Sequence, residues 1–183
     1  MKATELRRWR QDEYERMIAN GLFAPGERVE LIDGEILKLN PQGSFHATAV
    51  RLVEDALRLT FGAGFDVRAQ LPIALGTHSE PEPDVAVVPG SPRDYRETHP
   101  STAVLIVEVA DTTLEYDRVR KGGIYARADI PDYWLINLVD RCVEVYRDPV
   151  QGSYQAGTRF MPGDRISPLA ARNAPLAVAD MLP

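Results

Sequence analysis

At 183 residues, with 44% hydrophobic and 26% charged residues, the chain is long enough to bury a full core and too apolar to be disordered. Its 27 acids against 21 bases leave a formal net charge of -6, which excludes broad attraction to nucleic acid unless a local basic patch or a bound cation provides it. A lone cysteine, Cys142, excludes an intramolecular disulfide and a cysteine-built zinc site, so the expectation is one domain over residues 1–183 in a reducing compartment, the cytoplasm.

The first stretch, "MKATELRRWRQDEYERM", mixes acids and bases where a signal peptide would be apolar, and no run approaches the length of a membrane span, so no membrane partner is expected. Leu6, Trp9, Glu13 and Met17 recur at helical spacing, which predicts a helix from Thr4 to Ala19 with Thr4 as its cap. "VELIDGEILKL" (29–39) places Asp33 and Gly34 between two strand-like runs and predicts a two-residue hairpin. "SFHATAVRLVEDALRLTF" (44–61) gathers Phe45, Leu52, Val53, Ala56 and Leu57 largely on one face and predicts a helix packed on a sheet, ending before Gly62. Strands are expected at 65–75, 84–88 and 103–110, with an exposed, mobile, proline-rich loop from Pro89 to Pro100. A helix is expected within 111–128, then a strand pair, "YWLINL" and "CVEVYRD", joined by "VDR". Beyond Pro149 the chain reads as irregular apart from a strand at 153–160. The order is mixed α/β or α+β rather than a regular βαβ array.

Two anomalies carry the chemistry. In "AVLIVEVA" (103–110) both faces of the strand are apolar except at Glu108, and an ionised carboxylate there costs several kcal/mol unless a cation or donors compensate it. Thr112 and Glu115 have capping-box spacing, which starts a helix near Thr112. Nine residues of helix from Thr112 to Lys121 rise ~13.5 Å, and four extended residues from Glu108 to Thr112 span ~13 Å. A helix folded back over its strand therefore brings Lys121 level with Glu108, with Asp117 and Tyr125 on the same helix face. A plain salt bridge would satisfy that pair. The second anomaly is "EPEPDVAVV" (80–88), where Asp84 opens a strand after Pro83. If that strand lies beside 103–110, two carboxylates converge near one lysine, and a hard cation such as Mg²⁺ relieves their repulsion.

"VELIDGEI", "SEPEPDVAVV", "LIVEVADTTLEYDRVRKGGIYARADIPDYWLINL" and "RCVEVYRDP" closely resemble the Uma-two family of restriction endonucleases, within the PD-(D/E)XK nuclease superfamily. The resemblance runs from about Arg28 to Asp148 and is strongest over 103–138. It implies a restriction-endonuclease-like mixed sheet flanked by helices and a Mg²⁺- or Mn²⁺-dependent nuclease acting on nucleic acid, DNA in the first instance, with a homodimer open. It implies Asp84 and Glu108 as catalytic acids that hold the ion with the backbone carbonyl of Val109. The superfamily's strand lysine is replaced here by Ala110, and Lys121 on the following helix matches the family's lysine. Glu30 matches a family acid and reads either as a further metal or water ligand or as a solvent-facing hairpin residue. His46, Gln70, Glu82 and Tyr125 fall at family-typical positions and read as surface or supporting residues rather than direct catalysts. Arg118, Arg120 and Arg127, with Arg93 and Arg96 in the loop, would supply the remaining attraction to nucleic acid.

Other motifs carry less. The histidines His46, His78 and His99 lack zinc spacing and read as loop or surface residues, and "GAGFDV" lacks the third glycine of a dinucleotide loop. Gly122 and Gly123 either admit a close backbone neighbour or break the helix that carries Lys121. Cys142, Tyr133 and Trp134 read as core. Two other functions stay open: a nuclease fold without turnover that binds nucleic acid or protein, and a hydrolase of another phosphoester.

Overall fold

The computed structural model describes residues 5–183. Helix α1 spans Gln11–Ala19, so the expected start at Thr4 lies outside the described residues and the expected helical turn through Leu6 and Trp9 is not formed. Tertiary hydrogen bonds override the periodicity there. The Trp9 N–H donates to the Gly34 carbonyl at 2.9 Å and the Gln11 N–H to that of Thr77 at 2.8 Å, which holds 5–10 as an arm laid against the hairpin. The buried face of α1 is Tyr14, whose hydroxyl donates to the Val29 carbonyl at 2.8 Å.

The hairpin forms as expected, β1 (Val29–Ile32) against β2 (Glu35–Lys38), with Asp33 and Gly34 both at positive φ as a two-residue turn of this hand requires. Leu31 also exchanges backbone hydrogen bonds with Glu80, so β1 is covered on both edges and all four of its residues are buried. Helix α2 (Ser44–Thr60) ends at Phe61, before Gly62. It buries Ala49, Val50, Val53 and Leu57; Phe45, placed on that face by sequence, is 50% exposed at the helix start.

A six-stranded mixed sheet lies between these layers, in the order β3 (Phe65–Ala69), β4 (Val85–Pro89), β5 (Leu105–Ala110), β6 (Asp132–Asn137), β7 (Cys142–Val150) and β8 (Ser153–Phe160). Only β5 and β6 run parallel. Strand β3 is shorter than expected because Gln70 turns the chain at φ 53 and Pro72 follows. The parallel β5–β6 pair is joined by α3, residues 114–127, a continuous helix whose middle, Asp117–Lys121, is wound as a π turn. Neither alternative read for Gly122 and Gly123 is met: the helix runs through both, and no backbone approaches either residue closely enough to demand glycine. Nor does the capping box form, since Thr113 precedes α3 without a side-chain cap and the Asp111 carboxylate accepts the Thr112 N–H instead.

The two sheet faces carry separate apolar cores. Leu105, Val107 and Val109 face α2 together with Val53, Leu57 and Trp134, while Ile106 shares the other face with Ile32, Ile124, Tyr125 and Tyr133. The alternation is therefore observed over Leu105–Ala110, the extent of β5, with Glu108 on the α3 side. The strand is shorter than the expected 103–110, and Ala103 and Val104 precede it and pack with Ile106 and Leu105 respectively, opposite to the alternation. The loop after β4 contains a short 3-10 turn, Pro92–Tyr95, braced by Asp94 on the Ser91 N–H. Past β8 the chain is more regular than expected. An antiparallel pair of two-residue strands, β9 (Arg165–Ile166) with β10 (Leu176–Ala177), leads to Val178 and Met181, which bury against the α2 core. No helix among the described residues is long and apolar enough to cross a membrane.

Candidate active site

The antiparallel register pairs Val85 with Val107, which sets Asp84 at the end of β4 opposite Glu108 on β5. Each acid grips the other's backbone. Asp84 Oδ2 accepts from the Val109 N–H at 2.9 Å, and Glu108 Oε2 accepts from the Asp84 N–H at 3.3 Å. Lys121 reaches back from α3 so that Nζ donates to Glu108 Oε1 at 3.0 Å and lies 3.5 Å from Glu30 Oε2. Tyr125, one helical turn on, donates its hydroxyl to the same Glu108 oxygen. Glu30 is 2% exposed, which removes the solvent-facing alternative for it. The Glu82 N–H fixes its carboxylate at 3.2 Å, and the Glu82 side chain itself is held by Arg28 at 2.6 Å. Asp117, at the start of the π turn, accepts from Thr113 Oγ1 at 2.5 Å.

Asp84 Oδ1 gathers nitrogen donors from three directions: His46 of α2 at 3.2 Å, Gln70 after β3 at 3.3 Å and Gln42 at 3.4 Å. His46 is thus not the loop or surface residue that its sequence context suggests. The sequence-selected residues Glu30, His46, Glu82, Asp84, Glu108, Val109, Asp117 and Lys121 share the wall of one cavity of about 330 Å³. Gln70 and Tyr125 stand behind that wall and hold Asp84 and Glu108 from the rear. Gln42, Asp111, Thr113 and Tyr116 also line the cavity, and the sequence reading did not single them out. Their signal was positional: "DTTLEYD" follows directly on the strand that bears Glu108, and 39–43 leads into the helix that bears His46.

The electrostatics follow from one lysine among four buried acids, Glu30, Asp84, Glu108 and Asp117. Burial opposes charge on Lys121, but the surrounding carboxylates outweigh it and push its pKa up, so it remains an ammonium. Glu108 also shifts up, because its burial and the charges of Asp84 and Asp117 exceed the help from Lys121 and Tyr125. Asp117 moves up for the same reason, burial first. Asp84 moves down: burial acts against it, but His46, the Val109 N–H and Lys121 hold it ionised. The site carries more negative charge than its own cation can neutralise.

The donor set therefore fits a hard divalent cation: two carboxylates, all-oxygen ligands, at one strand junction. Among the described residues, the group of three ligating side chains whose donor atoms lie within 4.8 Å of one another is a different one, Asp140, Cys142 and Glu144. Glu144 there is already forked by Arg118 at 2.8 and 2.5 Å and touched by Asn137 and Arg159, so a metal would have to displace two guanidinium groups. The pair at Asp84 and Glu108 suits a hard ion better in being all oxygen, although its oxygens too already accept from Lys121, Tyr125, His46 and Gln70 and it lacks a third ligating side chain in that tight group. Four of the five arginines expected to draw nucleic acid are committed elsewhere, while Arg93 has no ion pair among the described residues. Arg118 pairs with Glu144, Arg120 with Glu35, Arg127 with Asp33 at 2.6 Å and Arg96 with Glu97 at 3.0 Å. They do not form a free basic stripe.

Comparison with known proteins agrees with this architecture. A crystal structure of "a putative nuclease belonging to DUF820" from Anabaena variabilis superposes with a TM-score of 0.65 at 18% sequence identity, covering 85% of this chain and 89% of that one, which is a likeness of fold. A search of curated proteins finds no significant match. The model of the Uma2 family, described as "Putative restriction endonuclease", matches residues 11–179, nearly the whole chain. The chain belongs to the Uma2 family.

Proposed function

We propose that this single-domain chain is a divalent-metal-dependent nuclease that hydrolyses phosphodiester bonds of nucleic acid, DNA in the first instance. The observation that carries the reading is the interlocked pair Asp84 and Glu108, each hydrogen-bonded to the other's strand, in a cavity where one buried lysine, Lys121, stands among four buried acids. Asp84, Glu108 and the Val109 carbonyl would hold Mg²⁺ or Mn²⁺, which when bound supplies a Lewis acid that offsets the charge of the phosphate.

The remaining steps belong to the protein's own side chains. Water attacks phosphorus in line with the leaving oxygen, whose bond to phosphorus breaks as the new one forms; the water gives up its proton and the leaving oxygen takes one through solvent in the cavity, while negative charge builds on the non-bridging oxygens. Lys121 stays protonated, so its role is to donate to the attacking water or to those oxygens rather than to accept a proton. Tyr125 and Glu30 position Lys121 and Glu108, and His46 and Gln70 keep Asp84 aimed and ionised.

The test is a panel of single-stranded, double-stranded and branched DNA with Mg²⁺ or Mn²⁺. The wild type cuts at least one substrate, while Lys121→Ala and Asp84→Asn lose on the order of 10²-fold or more. Equal cutting by those variants would overturn the assignment. A second reading, a nuclease fold without turnover that binds nucleic acid or protein, draws on one observation: Glu108 Oε1 is already shared by Lys121 and Tyr125. Binding without cutting across the panel would favour it.

A further inference from the structure

Three buried side-chain polar atoms lack a hydrogen-bond partner among the described residues: Arg68 Nε, Glu80 Oε2 and the Tyr116 hydroxyl. Only Tyr116 lines the cavity of the acids. The chain reaches that placement through the π turn. In an α-helix, positions 116 and 121 point well apart, whereas a turn closed by the Gly122 N–H on the Asp117 carbonyl, five residues back, swings Tyr116 toward the face that carries Lys121. Tyr133 pins this turn by donating its hydroxyl to the same Asp117 carbonyl at 3.0 Å. The ring of Tyr116 is held independently of its hydroxyl, with the Arg120 guanidinium carbon 5.8 Å from the ring centroid.

A phenylalanine would fill that space and stack under Arg120 equally well, without burying an unpaired O–H group. We propose that Tyr116 is a catalytic residue whose hydroxyl donates a hydrogen bond to a non-bridging oxygen of the scissile phosphate. The assignment rests on the nuclease reading above and names a donor that reading does not contain. It also addresses the acid-rich wall: six carboxylates line the cavity against Arg28, Lys38 and Lys121, each of these cations is already paired with an acid, and a neutral donor can meet an anionic phosphate without being captured in that way. The hydroxyl keeps its proton at neutral pH, since burial and then Glu30 push it up to about 12 against Arg120 and Lys121.

The experiment compares Tyr116→Phe with the wild type on an oligonucleotide that the wild type cuts, at matched Mn²⁺. Expected are a kcat/KM lower by about 10–100-fold, an unfolding midpoint equal to or above wild type, and an unchanged Mn²⁺ concentration for half-maximal rate. With a single phosphorothioate at the cleaved position, discrimination between its two diastereomers should shrink in the variant, because sulfur is the poorer acceptor for the hydroxyl that has been removed. Cutting within twofold of wild type would overturn the assignment. So would a loss of activity accompanied by a lower unfolding midpoint or a shifted Mn²⁺ dependence, either of which marks a structural or ligand role. A wild type that cuts no substrate defeats the nuclease reading, and this assignment with it.

Discussion

Replacing Lys121 with methionine keeps the length and apolar volume of the side chain and removes the only ammonium facing Glu108 at 3.0 Å and Glu30 at 3.5 Å. Removing one partner of a buried ion pair costs about 3–5 kcal/mol, because the other charge is left without compensation. Here four acids lose their shared cation, and the folded chain can respond by binding one proton more than the wild type does; Glu108 is raised to about 8 already, so the extra proton falls on Asp117, which burial raises to about 6 and Lys121 holds from rising further. A carboxyl raised in the folded state contributes stability that is complete below its unfolded pKa and is lost as pH rises through its folded value. The deficit of the variant should therefore be largest at alkaline pH. One additional bound proton is worth about 1.4 kcal/mol per pH unit, so the deficit should shrink by up to ~2.7 kcal/mol between pH 8 and pH 6. Urea unfolding of both proteins at the two pH values, with chelator present, measures it. A deficit below about 1 kcal/mol at pH 8, or one identical at both pH values, would refute the argument that this lysine balances a surplus of buried negative charge.

The cluster around Glu144 makes the opposite prediction. Burial acts against ionisation there, but Arg118, Asn137 and Tyr146 hold the carboxyl down to about 2. Its contribution is present above the unfolded carboxylate pKa and fades as pH falls toward 2; after discounting for solvent around the two arginines it amounts to roughly 1–2 kcal/mol. Glu144→Gln should show a correspondingly flatter loss of stability on acidification, followed by circular dichroism. In α2, Leu57→Ala should cost about 2–5 kcal/mol in urea unfolding by opening a cavity under the sheet, whereas Leu59→Ala, two residues on and 90% exposed, should stay within ~0.5 kcal/mol.

Much of this architecture is legible from local chemistry. Asp33 and Gly34 dictate the hairpin turn, and the apolar alternation of 103–110 singles out Glu108 because a lone acid on a doubly covered strand needs a partner. The register arithmetic that levels Lys121 with Glu108 meets a 3.0 Å contact, although it assumed a plain α-helix and could not foresee the π turn. What escapes the sequence depends on distant contacts. The arm at 5–10 gives up its helical pattern for hydrogen bonds to Gly34 and Thr77, and Val178 and Met181 bury against α2 from a single 3-10 turn too short to show a period. His46 acquires its place only when α2 lies across Asp84, and the orphaned hydroxyl of Tyr116 only when the π turn rotates it inward. The helix arginines are instructive in reverse: their charge suggests a nucleic-acid face, yet Glu35, Asp33 and Glu144 reach them from other elements.

The most direct measurement is the anomalous difference map of a crystal soaked in Mn²⁺. The account predicts a peak about 2.1 Å from oxygens of both Asp84 and Glu108, absent from crystals of Asp84→Asn. A peak at Asp140, Cys142 and Glu144 instead, or none in the cavity at saturating Mn²⁺, would contradict it.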